Sequence, residues 1–239
     1  MNNKKTILFV SAAFFIYGLF LVVFYKKNDS VNLAYITNQG ENSVSVVDLN
    51  KLIVLKKISV GKSPLGISII NKKAIAVVGN IESQSLSIID IEKNELVKTV
   101  DLKTAPLGMA SDSSGDRLFV TGWYENKLLV LSTEDFSISH EINVGITPSG
   151  ISFNKKNNFI AIANRDANTV EIYDGKNYVL QKKITVGKHP FGISTKDNFI
   201  FTANVYDDSI SIINTDNWDQ KTIKVGLNPY NIITYEEKA

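Results

Sequence analysis

Cysteine is absent from the 239 residues, so disulfides, thiolate metal sites and cysteine nucleophiles are excluded. Histidine is scarce as well, and the two present, His140 and His189, are too few for a histidine-rich metal site. The chain also lacks a Gly-rich phosphate loop, a nucleophile elbow and a metal-spaced cluster of carboxylates. The sequence therefore predicts no metal site, no cofactor and no catalytic residue.

Neither sign of charge is in large excess, because the formal net charge is only +2. Residues 1–27 contain Lys4, Lys5, Lys26 and Lys27 and no acidic residue. The rest of the chain therefore has 22 basic and 24 acidic side chains, a formal charge of −2. A slightly acidic domain lacks the positive surface that binds a phosphate backbone, so we expect no nucleic-acid partner.

Long hydrophobic runs are absent except at the N-terminus, where 20 residues from Thr6 to Tyr25 contain no charge. A helix of that length spans about 30 Å, the thickness of the hydrocarbon core of a bilayer. Lysines flank the run at both ends. The sequence predicts that residues 1–27 form a transmembrane signal anchor, followed by a short linker at 28–32.

A cleaved signal peptide is the competing interpretation of this segment. Signal peptides have a shorter apolar core and small residues at the cleavage site. Here the run is longer and ends in Val-Val-Phe-Tyr-Lys-Lys, which favours an uncleaved anchor. Because two lysines flank each end, the positive-inside rule hardly distinguishes the two orientations in the membrane. The free α-amine adds positive charge to the N-terminal side and so favours an N-terminus inside. We therefore expect a single-pass protein of the cytoplasmic membrane with its C-terminal domain outside.

Proline is rare, and all five prolines occupy one phase of an internal repeat. They are spaced by 42, 42, 42 and 39 residues, at Pro64, Pro106, Pro148, Pro190 and Pro229. A glycine follows two residues after each of the first four, and Val-Gly precedes four of the five. Five prolines in one column indicate a structural repeat of about 42 residues.

The segments between these prolines have the pattern of β-strands. Short apolar runs end at Asn38, Asn80, Gly122, Asn164 and Asn204. Alternating segments such as Val44 to Asp48 and Leu86 to Asp90 follow, and no helical periodicity appears after residue 30. Four short strands per repeat are typical of a propeller blade. The sequence predicts an all-β fold at residues 33–239, a β-propeller of about five four-stranded blades.

The repeat residues also resemble a known family. Tyr-Ile-Thr-Asn at 35–38, Val-Ser-Val-Val-Asp at 44–48 and Val-Gly-Lys-Ser-Pro-Leu-Gly at 60–66 are similar to the YVTN family of β-propeller repeats. The resemblance implies that the strand after each Pro-x-Gly is the innermost, A, followed by B, C and an outer strand D. Relatives include surface-layer proteins, periplasmic propellers and subunits of quinone or haem enzymes, so the resemblance leaves the function open.

The repeat phase makes a prediction about ring closure. The predicted domain begins at Leu33 with a B strand and ends near Ile232 to Thr234 with an A strand. We expect this last strand to complete the first blade, which would remove two exposed strand edges. An open arc, or closure between two molecules, is the alternative.

One set of loops contains residues that differ from the polar turn residues of the other repeats. The D–A and B–C loops share a face, and on it lie Trp123, Tyr124, Arg165, Asp166, His189, Tyr206 and Asp207. Exposed aromatic residues with an arginine are typical of a recognition surface. The alternative is that these aromatic residues pack between neighbouring blades. His189 precedes a proline and is interpreted first as a turn residue, and otherwise as a haem ligand or a base. His140 is expected on a solvated outer strand.

These observations predict a membrane-anchored, extracytoplasmic binding or scaffolding module. Its partners would be the membrane, through Thr6 to Tyr25, and an unknown protein or small-molecule ligand. The alternative is a propeller-type enzyme or accessory protein, a lyase or a haem- or quinone-handling subunit, that uses the loop face around His189.

Overall fold

The computed structural model describes residues 22–28 and 31–234, which divide between two compact units, Met1–Pro106 and Leu107–Ala239. Twenty strands form five four-stranded antiparallel sheets within the described residues. In each sheet, consecutive strands are neighbours. The all-β prediction and the prediction of about five blades are confirmed.

The first unit contains two of these sheets. The first sheet consists of β1 (Val22–Asn28), β2 (Val31–Asn38), β3 (Ser43–Asp48) and β4 (Ile53–Ser59). The second consists of β5 (Pro64–Ile70), β6 (Ile75–Asn80), β7 (Ser85–Asp90) and β8 (Glu95–Asp101). Their facing sides form one core that includes Tyr35, Val46, Val78 and Ile89, all fully buried.

The second unit begins within β9 and contains the other three sheets. The third sheet consists of β9 (Pro106–Ser111), β10 (Arg117–Gly122), β11 (Lys127–Ser132) and β12 (Ile138–Asn143). The fourth consists of β13 (Pro148–Asn154), β14 (Phe159–Asn164), β15 (Thr169–Asp174) and β16 (Leu180–Thr185). The fifth consists of β17 (Pro190–Lys196), β18 (Phe199–Asn204), β19 (Ser209–Asn214) and β20 (Gln220–Lys224).

Burial follows the order of the strands within a sheet. All six residues of β14 are buried because neighbouring sheets cover both of its faces, whereas β16 is exposed over most of its length. Ala161, Ile172, Ile193 and Ile200 belong to one core that joins the fourth and fifth sheets. The first strand of a sheet approaches the first strand of the next, since Ser149 Oγ lies 3.1 Å from Pro190 O. Strand A is therefore where the backbones of these two blades approach each other closely, and strand D is the outer edge.

The position of each proline follows from its missing N–H group. Pro64, Pro106, Pro148 and Pro190 are each the first residue of an A strand, where the missing donor breaks no hydrogen bond of the ladder. The aspartates at the ends of the C strands form turns, as shown by Asp48 Oδ1, which accepts hydrogen bonds from the amides of Asn50 and Lys51.

The N-terminal end of the first sheet differs from the sequence prediction. Residues 1–21 lie outside the described residues, so most of the predicted helix from Thr6 to Tyr25 remains a prediction. Its last four residues belong to β1, which pairs antiparallel with β2 from Val22 opposite Ile36 to Asn28 opposite Val31. Valine, phenylalanine and tyrosine favour strands, and β2 would otherwise expose an unpaired edge. No helix in the described part of the chain has the length and apolar character needed to cross a bilayer.

The predicted closing strand is also wrong in this structure. β1 occupies the position beside β2 that the sequence analysis assigned to Ile232 to Thr234. The C-terminal segment instead runs along β17, where Gly192 N donates to Tyr230 O at 2.9 Å and the hydroxyls of Ser194 and Thr234 lie 2.9 Å apart. The reason is that the residues before position 33 supply a fourth strand to the first sheet, which the repeat phase alone did not reveal.

Candidate functional site

The loops of the second unit are connected to one another by a recurring backbone contact. Before Pro148 and before Pro190 stands a residue with a positive φ, 55° at Thr147 and 52° at His189. Its amide donates to an asparagine side chain in the preceding B–C loop, from Thr147 to Asn126 Oδ1 at 2.8 Å and from His189 to Asn168 Oδ1 at 2.9 Å. Because non-glycine residues rarely adopt positive φ, these side-chain acceptors hold the loops in a defined conformation.

Two pairs of stacked rings lie on these loops. The rings of Trp123 and Tyr124 are 5.2 Å apart and inclined by 12°, and those of His189 and Tyr206 are 4.1 Å apart and inclined by 30°. Tyr124 is 67% exposed and Tyr206 57% exposed. Each tyrosine therefore has a second ring behind it and leaves much of its own surface to solvent.

A polar cluster centred on Asp166 lies on the blade between the two ring pairs. Thr147 Oγ1 donates to Asp166 Oδ2 at 2.7 Å, and Arg165 Nη1 donates to Asp166 Oδ1 at 3.1 Å. His189 Nδ1 lies 3.6 Å from the same Oδ1, too far for a hydrogen bond. The carboxylate is therefore held in one orientation, with the threonine hydroxyl at Oδ2 and both the arginine and the imidazole near Oδ1.

The structure brings the predicted residues onto consecutive loops of the second unit. Trp123 and Tyr124 precede Asn126, which binds the Thr147 amide, and Thr147 O in turn accepts a hydrogen bond from Arg165 N. His189 O accepts from Val205 N, beside Tyr206. We call the seven predicted residues the loop face: Trp123, Tyr124, Arg165, Asp166, His189, Tyr206 and Asp207.

The members of the loop face have different roles. Asp207 accepts a hydrogen bond from Lys188 N at 2.7 Å, so it fixes the neighbouring loop. Trp123 is half-buried behind Tyr124, and its Nε1 has no hydrogen-bond partner among the described residues. The turn interpretation of His189 accounts for its backbone, while its ring supports Tyr206. His140 lies on the outer strand β12 and packs edge-on against Tyr178.

Sequence reasoning missed a buried acidic residue near this face. Glu171, in strand β15, is only 3% exposed and its carboxylate accepts hydrogen bonds from Gly145 N at 3.0 Å and Tyr173 Oη at 2.8 Å. Lys183 Nζ lies 3.0 Å from its other oxygen. The signal was in the sequence, because three of the other four repeats have serine in the same column, at Ser45, Ser87 and Ser211, and the remaining one has Leu129.

The surroundings of Glu171 keep it ionised. Burial acts to raise the pKa of Glu171, but hydrogen bonds from Tyr173, Lys183 and the Gly145 amide outweigh it, so the pKa lies below its ordinary value. Burial and the neighbouring carboxylate raise the pKa of Tyr173, which therefore remains a neutral donor. Glu171 holds the loop that begins at Gly145 and leads to Thr147.

This lowered pKa predicts a dependence of stability on pH. The stabilisation by Glu171 is fully present above the pKa of the unfolded chain, about 4.3, and is lost as the pH falls through the lower folded pKa. We expect the difference in thermal midpoint between wild type and Glu171→Gln to shrink as the pH is lowered from 7 to 3. A difference that stays constant over this range would mean that the charge of Glu171 does not stabilise the fold.

No protein-family model matches the chain, and a search of curated proteins finds no match. Among solved structures, hydrazine synthase of Kuenenia stuttgartiensis is 17% identical with a TM-score of 0.72, and the match covers 83% of this chain and 66% of that chain. Virginiamycin B lyase of Staphylococcus aureus is 15% identical with a TM-score of 0.73, and the match covers 89% of this chain and 77% of that chain.

A streptogramin B lyase is similar as well, at 14% identity and a TM-score of 0.73, over 84% of this chain and 69% of that chain. Such low identities show the fold alone. The chain is a β-propeller. Its five described blades span about two thirds to three quarters of the length of these solved propellers. Within the described residues, no three histidine, aspartate or glutamate side chains converge as a metal site would require.

Proposed function

We propose that this β-propeller, of the YVTN type, is a binding or scaffolding module that its N-terminal segment anchors to the cytoplasmic membrane, with the propeller on the outer side. The loop face is its binding surface. The observation that supports this best is the arrangement of two exposed tyrosines, each backed by a second ring, around the Arg165–Asp166 pair.

The structure of the loop face favours recognition over simple packing. A tyrosine whose ring is supported from behind loses little conformational entropy when a ligand covers its exposed side. Tyrosine, tryptophan and arginine dominate the residues that contribute most to binding at interfaces. Arg165 and Asp166 already form an ion pair with each other. A partner that covers them therefore does not bury an unpaired charge.

Membrane display is supported by the uncharged run from Thr6 to Tyr25 and the lysines on both sides of it. The residues before β1, Thr6 to Leu21, would span only about 24 Å as a helix. A bilayer core of about 30 Å requires about 20 residues. In the anchored protein we therefore expect Val22 to Tyr25 to join the helix, so that the strand β1 begins after Tyr25 and not at Val22.

The proposed binding surface can be tested with paired alanine variants of the full chain in detergent. Tyr124→Ala combined with Tyr206→Ala is expected to weaken capture of the ligand at least tenfold, since hot-spot residues contribute about 2 kcal/mol or more each. Phe199→Ala is the control, because Phe199 is an exposed aromatic residue at the start of β18 and Tyr206 follows the end of that strand. Equal capture by both variants would exclude the loop face as the binding surface.

A second candidate function, a propeller-type enzyme of the lyase or haem- or quinone-handling kind, is favoured by one observation. His189 Nδ1 is buried without a hydrogen-bond partner among the described residues and lies 3.6 Å from Asp166 Oδ1. A histidine beside a carboxylate is an arrangement in which the imidazole acts as a general base. An absorbance spectrum of the purified protein identifies a haem or quinone directly. A lyase is identified when His189→Gln abolishes turnover but preserves binding.

A further inference from the structure

The outer strands of the first unit expose an unusual number of apolar side chains. These residues, which we call the edge patch, are 40–80% exposed and lie on or beside β4 and β8: Leu52, Ile53, Val54, Leu55, Leu96 and Val97. Strands with one buried face alternate between apolar and polar residues, but here consecutive apolar residues point to both sides of an edge strand. Such a surface marks a site of interaction.

A β-bulge contributes to this exposure. The pairing of β4 with β3 skips Leu55, and the pairing of β8 with β7 skips Val97 in the same way. The equivalent bulged residues of the second unit are Ser139 and Gln181. The same structural position is therefore apolar in the first unit and polar in the third and fourth sheets, so the apolar character is not a requirement of the bulge.

Lysines surround the edge patch at positions 51, 56, 57, 93 and 98, all of them exposed. Four of these lysines form ion pairs with acidic side chains: Lys51 with Asp48, Lys56 with Glu95, Lys57 with Glu41 and Lys93 with Asp90. The pair between Lys56 and Glu95, at 3.5 Å, places β4 next to β8. Exposed ion pairs of this kind contribute little, so the long side chains are able to extend toward another partner. Residues 32–106 contain nine lysines and seven acidic residues, whereas residues 107–234 contain twelve basic and fourteen acidic residues. The unit that bears the edge patch is thus the positive one.

We propose that the edge patch contacts the surface of an anionic phospholipid membrane. The proposal rests on the proposed membrane display of the chain. Lipid at the interface can receive apolar side chains from both sides of a strand while the lysines reach the headgroups. Addition of a strand from another protein would instead require a regular edge, and the bulges at Leu55 and Val97 interrupt it.

The position of β4 in its sheet supports this choice of partner. β4 belongs to the same four-stranded sheet as β1. β1 includes Val22 to Tyr25, the last four residues of the apolar N-terminal run that we propose as the anchor. The sheet attached to the anchor is therefore the sheet whose outer edge is the most apolar.

The absence of cysteine makes a direct test possible. The full chain with Val54→Cys and, separately, with Leu180→Cys is labelled with the environment-sensitive dye NBD and reconstituted into phosphatidylcholine vesicles with and without phosphatidylglycerol. These residues occupy the same repeat column and are 56% and 46% exposed. We expect the probe at 54 to shift to the blue and to be quenched by spin-labelled lipid when phosphatidylglycerol is present, and the probe at 180 to remain in water. Replacing Leu55 and Val97 with glutamine should reduce the shift at 54.

The outcomes separate the inference from the proposed function. If alkaline washing removes the full chain from the vesicles, the proposed membrane anchoring fails. If the chain is retained but the probes at 54 and 180 behave alike, the edge patch does not contact lipid and the inference alone is overturned. Efficient disulfide cross-linking between two copies at position 54 would also overturn it, by identifying a second copy of the chain as the occupant.

Discussion

Replacing Gly150 with alanine is expected to lower the thermal midpoint by about 6–12 °C, the equivalent of about 3 kcal/mol in a protein of this size. A Cβ atom at this position of β13 would lie 2.4 Å from Phe191 O and 3.1 Å from Ile193 N. Both are backbone atoms of β17, so the clash cannot be relieved by rotating a side chain. Two neighbouring A strands would have to separate, which would disturb the core between the fourth and fifth sheets.

The matched control for this prediction is Gly40→Ala, since nothing lies within 4 Å of a Cβ atom built on Gly40. We expect its midpoint to equal that of the wild type within experimental error. Circular dichroism during thermal unfolding measures both variants. If the thermal midpoint of Gly150→Ala equals that of Gly40→Ala, the A strands are not the place where the blades approach most closely.

Replacing Gly145 with alanine is expected to destabilise the protein by about 1–3 kcal/mol, whereas the same change at Gly226 has no measurable effect. Both glycines follow valine at the end of a D strand. A Cβ atom on Gly145 would lie 2.5 Å from Asn164 Cγ, and Asn164 is fully buried. No described atom lies within 4 Å of a Cβ atom on Gly226. The two variants therefore differ in their surroundings and not in their chemistry.

The repeat itself suggests how to rescue Gly145→Ala. The second repeat has Lys103 in the column of Gly145, and Gly122 in the column of Asn164. Combining Gly145→Ala with Asn164→Gly should therefore give a protein more stable than the sum of the two single changes predicts. Chemical denaturation of the four proteins measures this coupling. Strict additivity would show that the glycine and the asparagine do not constrain each other.

Much of the fold could be predicted because the repeat marks the strands. Each A strand after the first sheet begins at a proline from Pro64 to Pro190, and the alternating segments form the C strands β3, β7, β15 and β19. The N-terminal boundary of the first sheet could not be predicted, because the residue types of Val22 to Tyr25 are compatible with both an apolar helix and a strand. Only the pairing of β1 with β2 distinguishes the two.

The repeat columns select the residues of the loop face but do not predict how these residues are arranged. Repeat columns identified Tyr124, Arg165 and Tyr206 as exceptions to the usual turn residues. The support of Tyr206 by His189 depends on contacts between loops, which a single sequence does not contain. The same holds for the space that Gly145 leaves for Asn164. Glu171 is the exception, because the sequence alone shows a charged residue in a column where the other repeats have serine or leucine.

Cross-linking at the loop face tests the proposed binding function most directly. A photoreactive phenylalanine analogue is placed at position 206 or at position 199 of the full chain in its native cells, and intact-mass measurement detects adducts of a protein or a small molecule. We predict a discrete adduct at 206 that disappears when Tyr124 and Arg165 are changed to alanine, and none at 199. No adduct at 206, or the same adducts at both positions, would contradict a binding role for the loop face.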